Sequence, residues 1–177
     1  SFRTQRASPS WLRPYGGGRK EGNESPGGKD NGVYRCFERA DMRGEERRIE
    51  TMMYKDLYGM ACGMLDRAYA PFSKFKVGAA LLSKDGQVFT GCNVENSSFG
   101  ATICAERTAF VKAISEGTME FEAIAIVSSE GEAWPCGICR QFMKEFCDGD
   151  FKIITGDDED SLKVYTMDEI LPEGFRL

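Results

Sequence analysis

The apolar residues of this chain follow a regular period only from Met53 onward, which confines a folded core to residues 53–177. Residues 1–52 hold 8 of the 20 glycines and 3 of the 6 prolines, without a sustained apolar period. A segment of this kind buries too little surface to offset its chain entropy. We therefore predict a disordered N-terminal extension over residues 1–52 and a single domain over residues 53–177.

The charge and hydropathy of the chain narrow its possible partners. Residues 53–177 carry 12 Lys and Arg against 20 Asp and Glu, an acidic balance that disfavours nucleic-acid binding. No run approaches the ~18 apolar residues of a membrane-spanning helix, and no charged-then-apolar leader opens the sequence. We therefore expect neither a nucleic-acid partner nor a membrane partner.

The absence of histidine constrains the chemistry further. It excludes Ser-His-Asp and Cys-His catalysis and the HExxH zinc sites, so a general acid or base must be Glu, Asp, Lys, Tyr or Cys. Seven cysteines without even spacing indicate a reducing compartment, with free thiols or a metal rather than a disulfide framework. These features predict a cytoplasmic protein with a thiolate site.

Periodicity and turn residues predict an alternation of helices and strands after residue 53. The order helix, strand, strand, helix, strand, helix, strand, strand is typical of a mixed sheet covered by helices. The predicted helices cover 57–68, 104–116 and 136–147, and the predicted strands cover 76–82, 87–91, 122–128, 152–155 and 162–166.

Two cysteine motifs form the main candidate site. Cys104 precedes Glu106 by two residues, and Cys136 and Cys139 form a CxxC pair downstream. The pair alone is equally compatible with a redox site, half of a zinc ribbon or two buried thiols. Both motifs begin predicted helices, where free amides and the helix dipole stabilise thiolates. A redox pair needs no third cysteine, and a zinc ribbon needs a fourth ligand.

Three thiolates would leave one of the four tetrahedral positions of zinc open to water. Glu106 could then lie over that water without binding the metal. Taken alone, Glu106 is explained equally well as a first-turn residue favoured by the helix dipole.

Four segments in sequence order resemble the small zinc-dependent cytidine deaminase family. The similarity covers residues 53–177 and none of residues 1–52. It implies a three-layer α/β sandwich, with a mixed five-stranded sheet and helices on both faces, assembled as a homo-oligomer, namely a tetramer. The segments are PFSKFKVGAA at 71–80, GCNVEN at 91–96, CAER at 104–107 and PCGICRQ at 135–141.

The resemblance also implies a role for each residue of the cysteine motifs. Cys104, Cys136 and Cys139 would hold one Zn²⁺ per chain. Glu106 would take a proton from water, deliver it to N3 of the base and assist the departure of ammonia, as zinc deaminases do. Arg107 would hydrogen-bond the ligand sulfurs and draw negative charge off them.

The remaining site residues implied by the resemblance would bind the nucleoside. Asn93 and Glu95 would bind ribose hydroxyls, Phe75 would stack on the pyrimidine, and the backbone of Ala105 would contact its polar edge. Phe175 would be lent to the site of a neighbouring subunit. Taken alone, Asn93 is also typical of a turn, Glu95 of a solvated surface and Phe75 of a core.

The chain departs from the family pattern at three positions. Phe99 stands where the family commonly has Tyr, which removes a hydroxyl group. Trp134 and Ile138 are bulkier than the usual neighbours of the CxxC pair.

The sequence therefore predicts zinc-dependent hydrolysis of cytidine and 2′-deoxycytidine to uridine, 2′-deoxyuridine and ammonia, a step of pyrimidine salvage. One alternative is a deaminase of a cytosine-nucleoside analogue such as a blasticidin-type antibiotic, which ribose recognition by Asn93 and Glu95 disfavours. A second alternative is a non-catalytic zinc-binding interaction module. A polynucleotide-editing deaminase would need a basic strand-binding surface, which the acidic domain lacks.

Overall fold

The first helix that the structure describes crosses the predicted boundary at residue 52. A computed structural model of the protein describes residues 33–177, and residues 1–32 of the predicted disordered extension lie outside it. Helix α1 spans Val33–Cys62, so residues 33–52 of that extension are helical. The stretch 38–50 is rich in Glu and Arg, and these residues favour helix without forming an apolar period.

The same helix ends earlier than the periodicity predicts. The α-helix stops at Cys62, and the backbone amide of Met64 donates to the carbonyl of Ala61, three residues back rather than four. The chain then makes a single 3₁₀ turn at Leu65–Arg67. The prediction of one helix over 57–68 is therefore wrong beyond Cys62, because apolar spacing does not register this tightening of the backbone.

The mixed five-stranded sheet predicted from the sequence is confirmed. Its strands lie in the order β2-β1-β3-β4-β5, and all neighbours are antiparallel except the parallel pair β3 and β4. The strands are β1 Val77–Ser83, β2 Val88–Cys92, β3 Phe121–Ser128, β4 Lys152–Thr155 and β5 Lys163–Thr166.

Helices cover both faces of this sheet, which confirms the three-layer α/β architecture. On β1, Ala80 and Leu82 face α1, whereas Ala79 and Leu81 face the opposite helical layer. That alternation is what a strand buried on both faces requires. The opposite layer contains α2 Ala105–Ser115, α3 Gly137–Phe146 and the short α4 Met167–Ile170.

Gly91 of β2 fixes how closely α2 approaches the sheet. A Cβ atom at this position would lie 2.6 Å from the backbone nitrogen of Ala109 and still closer to the carbonyl oxygen of Ala105. Only glycine therefore permits this contact between helix and strand. The close packing fixes the first turn of α2, which carries Cys104 and Glu106.

Within residues 33–177, no helix is both long enough and apolar enough to cross a membrane.

Candidate metal centre and active site

Three cysteine sulfur atoms converge where two helices begin. Cys104 is the N-cap residue of α2, Cys136 is the N-cap residue of α3, and Cys139 lies in the first turn of α3. The three Sγ atoms all lie within 4.8 Å of one another, and those of Cys104 and Cys136 are 3.9 Å apart. Cys139 is completely buried, so the cluster is closed on one side.

The donor set and its geometry fit a zinc ion. Thiolates ~2.3 Å from a tetrahedral zinc lie about 3.8 Å from one another, close to the separation of the Cys104 and Cys136 sulfur atoms. Neither of these N-cap side chains accepts a capping hydrogen bond from its helix, so both sulfur atoms remain available as ligands. Three sulfur ligands also leave one coordination position open, as catalytic zinc sites require.

Arg107 contacts this cluster from within α2. Its Nη2 donates to Cys104 Sγ at 3.6 Å and to the carbonyl oxygen of Thr102 at 3.2 Å, while its buried Nε has no partner among the described residues. Hydrogen bonds from Cys139 and then from Arg107 lower the pKa of Cys104 to about 5. The bond to Cys104, together with burial, raises the pKa of Cys139 above its ordinary value. The hydrogen bonds from Cys139 and Arg107 therefore favour the thiolate form of Cys104.

Glu106 lies beside the sulfur cluster in a nearly dry position. Its side chain is only 4% exposed, although it still lines the cavity described below. Burial raises its pKa to about 7, and the charge of a Cys104 thiolate acts in the same direction, whereas the backbone amide of Glu106 opposes the rise. A carboxyl group with this pKa can accept and return a proton near neutral pH.

A cavity of about 310 Å³ opens over the sulfur cluster. This volume lies at the lower end of the ~300–1,000 Å³ typical of small-molecule sites. Ala105, Arg107, Cys139 and Phe175 do not line it. Six of the site residues predicted from the sequence do line it, namely Phe75, Asn93, Glu95, Cys104, Glu106 and Cys136.

Asn93 and Glu95 support the backbone around the cavity as well as lining it. Asn93 Oδ1 accepts from the amide of Val77 at 2.8 Å, and its Nδ2 donates to the carbonyl oxygen of Phe75 at 2.8 Å. The Glu95 carboxylate accepts from the amide of Phe72 at 2.8 Å and from Ser73 at 3.3 Å. Hydrogen bonds from Ser73 and then from Phe72 lower the pKa of Glu95, which keeps this group ionised.

The two aromatic residues Phe99 and Phe175 lie on the surface. Phe175 is 64% exposed, and its carbonyl oxygen accepts from Gln141 Nε2 at 2.9 Å. Phe99 is 79% exposed and packs edge-to-face on Phe72, with ring centroids 6.2 Å apart. Neither side chain lines the cavity of its own chain.

Two further residues of the cavity wall, Glu132 and Trp134, were not predicted as site residues. Glu132 accepts from Thr155 Oγ1 at 2.7 Å and from Lys163 Nζ at 2.6 Å. Lys163, and then Thr155, hold the pKa of Glu132 below its ordinary value. Because this carboxylate is already paired, Glu106 is the carboxylate better placed to move a proton. The sequence feature that could have indicated this part of the cavity wall is the large side chain of Trp134 beside the CxxC pair.

Comparison with known proteins agrees with this combination of fold and site. The family described as the cytidine and deoxycytidylate deaminase zinc-binding region matches residues 52–155, so the chain belongs to that zinc-binding deaminase family. Among its relatives is the cytidine deaminase of Sporosarcina psychrophila, 47% identical over 111 residues, which are 62% of this chain and 82% of the relative. The cytidine deaminase of Halalkalibacterium halodurans is 50% identical over 109 residues, which are 61% of this chain and 83% of that relative.

Solved structures show the same similarity. The cytidine deaminase from Burkholderia pseudomallei is 43% identical, with a TM-score of 0.64 over 68% of this chain and 97% of that one. The cytidine deaminase from Mycobacterium tuberculosis is 38% identical, with a TM-score of 0.60 over 68% of this chain and 95% of that one.

Proposed function

We propose that the protein is a zinc-dependent enzyme that hydrolyses cytidine and 2′-deoxycytidine to uridine or 2′-deoxyuridine and ammonia. One observation carries this proposal: the buried Glu106 and two of the three clustered cysteines, Cys104 and Cys136, line a cavity of the size expected for a small ligand. The sequence similarity to cytidine deaminases supports the same reaction, and nothing favours the antibiotic deaminase or the non-catalytic zinc module.

Cys104, Cys136 and Cys139 would hold one zinc ion. When bound, the ion supplies Lewis acidity, which lowers the pKa of a water molecule toward ~7. Three thiolates weaken that Lewis acidity because they bring negative charge. Arg107 offsets part of this charge, since it donates to the sulfur of Cys104, and the two helix N-termini act in the same direction.

Glu106 would move the protons of the reaction. It takes one proton from the attacking water and delivers it to N3 of the cytosine ring, then takes the remaining proton of the hydroxyl formed at C4 and delivers it to the departing amine. Water and cytidine are consumed, and uridine and ammonia are released, so atoms and charge balance. The carboxyl group can serve both steps because burial brings its pKa close to neutral pH.

Asn93 and Glu95 would bind the ribose. Asn93 Nδ2 carries two N–H groups, and the carbonyl oxygen of Phe75 takes one of them. The ionised Glu95 carboxylate has about four lone-pair positions, of which the Phe72 and Ser73 amides use only part. Both side chains can therefore bind hydroxyl groups without giving up their backbone contacts.

Phe75 would stack on the pyrimidine ring, since it lines the same cavity as Glu106. The backbone of Ala105 would contact the polar edge of the base, from its position between Cys104 and Glu106.

We further propose a homo-oligomer, a tetramer, in which Phe175 completes the site of a neighbouring subunit. Its 64% exposure and its absence from the cavity of its own chain support this role. A cytoplasmic location is proposed because free thiols persist as metal ligands in a reducing compartment.

The proposal can be tested with purified, zinc-loaded protein. Cytidine, 2′-deoxycytidine, cytosine and adenosine are each incubated with the protein, while ultraviolet absorbance, ammonia release and zinc per chain are measured. We expect turnover of the two cytosine nucleosides alone. Turnover of free cytosine but not of nucleosides would overturn ribose recognition. Zinc binding without ammonia release from any of the four compounds would favour the non-catalytic zinc module.

A further inference from the structure

Trp134 is a large apolar side chain on the wall of the cavity, two residues before the ligand Cys136. It remains 47% exposed, so the indole is not a core residue that folding alone explains. We propose that Trp134 is a specificity-determining residue: its indole contacts the pyrimidine ring and limits which substituents the base can carry. This inference rests on the proposed deamination of cytosine nucleosides.

The indole is held in place from two directions. Its ring lies on that of Tyr165 in β5, with centroids 4.7 Å apart, and the guanidinium carbon of Arg140 in α3 lies 5.7 Å from the indole centroid. Arg140 Nε also donates to the carbonyl oxygen of Pro135 at 2.8 Å, which fixes the backbone next to Trp134. Because the Trp134 side chain is already held in position before the substrate arrives, substrate binding loses little side-chain entropy at this residue.

A second anchor lies two residues earlier in the same loop. Glu132 pairs with Lys163 of β5 at 2.6 Å. Lys163 and Tyr165 are two residues apart on one strand and therefore point to the same face. The edge strand β5 thus holds the loop at both Glu132 and Trp134, which makes Tyr165 and Lys163 positioning residues for the wall.

The loop that carries Trp134 indicates which part of the substrate this residue contacts. Asn93 and Glu95 lie in the segment proposed to bind the ribose, whereas Trp134 belongs to the loop that leads into the metal ligand Cys136. The base must lie at the metal end, because its amino group is the one that leaves. An indole at that end would face the ring and restrict substituents on its carbon atoms. The C5 position is affected most, because C5 is bonded to the C4 atom that carries the leaving amino group.

A binding experiment tests the contact without using activity. The chain contains only two tryptophans, so Trp11→Phe leaves Trp134 as the single indole. Uridine, the product, is titrated into the zinc-loaded variant while tryptophan emission is followed, and calorimetry measures the same binding independently. We expect a saturable change in emission with the calorimetric affinity. Uridine binding by calorimetry without any change in emission would overturn the contact.

Kinetics test the specificity. Trp134→Ala should lower kcat/KM for cytidine about 10- to 100-fold, the effect of losing one base–aromatic contact. It should also raise the ratio of kcat/KM for 5-methylcytidine to that for cytidine about 10-fold or more, as a methyl-sized change in an apolar pocket does. Trp134→Phe, which keeps an aromatic ring, is the matched control and should change the ratio much less. An unchanged ratio in Trp134→Ala protein that holds zinc and turns over cytidine would overturn the proposal.

Variants of Tyr165 provide an independent test of the proposed role of Trp134. Tyr165→Phe keeps the ring against Trp134 and should leave the 5-methylcytidine ratio unchanged, whereas Tyr165→Ala should shift it in the same direction as Trp134→Ala. The effect should lie mainly in KM, because Tyr165 acts by placing the wall. Wild-type turnover of cytidine with no shift in either alanine variant refutes this inference alone. Absence of wild-type turnover refutes the proposed function instead.

Discussion

Val94 and Ile103 exchange both of their backbone hydrogen bonds, with N···O distances of 2.9 and 3.0 Å. This bridge joins the segment that carries Glu95 to the segment that leads into Cys104. The proposed ribose end and the metal end of the cavity are therefore parts of one hydrogen-bonded frame. A change at either end acts on a substrate whose position is fixed by both.

Glu106→Gln should strongly reduce turnover while leaving the site assembled. The amide keeps the size of the side chain but cannot carry a proton, so we expect kcat to fall by at least about 10²–10⁴-fold, the usual contribution of one general acid–base group. Zinc content and uridine affinity should stay near wild type. Glu116→Gln, at the exposed far end of α2, is the matched control. A zinc-loaded Glu106→Gln protein within a few-fold of wild-type turnover would refute the proposed role.

Cys139→Ala should lower zinc content and activity together, because the proposed zinc ion would lose one of its three protein ligands. The loss extends to stability, since metal binding is coupled to local folding. Cys147→Ala is a close control, since Cys147 is also buried and directly follows α3, but its sulfur is outside the cluster. Metal analysis and thermal unfolding of both variants make the measurement. One tightly held zinc per chain in Cys139→Ala protein would contradict the three-cysteine assignment.

Glu95→Gln should raise KM for cytidine more than it lowers kcat, because the substitution weakens a charged contact to the ribose that is present before and during the reaction. We expect an increase of about 10-fold or more, the worth of a hydrogen bond to a charged group. Glu130→Gln, at an exposed position outside the cavity, is the control. An unchanged KM would leave Glu95 with only its support of Phe72 and Ser73.

Gly91→Ala should destabilise the protein and reduce its zinc content. The added methyl group would collide with the backbone of α2 at Ala105 and Ala109, so the first turn of that helix must move away from the sheet. Overpacking of this kind costs about 1–3 kcal/mol. Gly59→Ala is the matched control, because its methyl group meets nothing within 4 Å. Chemical denaturation and metal analysis measure the two effects, and equal stability of both variants would contradict the close contact.

A chain that begins at Met53 should keep its activity. Among the residues of α1 whose burial the structure describes, the buried ones all follow this position, namely Tyr54, Leu57, Tyr58 and Ala61. Truncation removes the hydrogen bond from Tyr54 to Glu50, so a loss of stability of about 1 kcal/mol is expected. A chain that begins at Gly59 removes three of the four buried residues and should fail to fold. Loss of folding in the Met53 chain would show that residues 1–52 contribute to the domain.

The strands were largely predictable because their apolar runs are bounded by turn residues. The prediction for 152–155 coincides with β4, and that for 122–128 misses only the first residue of β3. Helix α4 was missed because it is only four residues long, although Thr166 and Glu169 form the capping box that marks its start. The Thr166–Glu169 capping box is therefore the sequence feature that predicts the start of α4.

The sequence also predicted that Cys104, Glu106, Cys136 and Cys139 belong to one site, since all four lie at helix starts, and the structure brings them together. The part of the cavity wall formed by Glu132 and Trp134 was not predictable in this way. Glu132 and Trp134 take their positions from Lys163 and Tyr165, which follow them by about 30 residues. No local period or motif links these pairs, so tertiary packing alone brings them together.

The two N-cap cysteines place a limit on how far this domain can be stabilised. Ser, Asp or Asn at an N-cap position accepts a bond from the helix amides and stabilises a helix by about 1 kcal/mol relative to a residue that does not. Cys104 and Cys136 form no such bond. A selection for thermal tolerance alone would therefore favour replacement at these two positions, and each replacement would remove one of the proposed zinc ligands. Stability and catalysis are in direct conflict at the starts of α2 and α3.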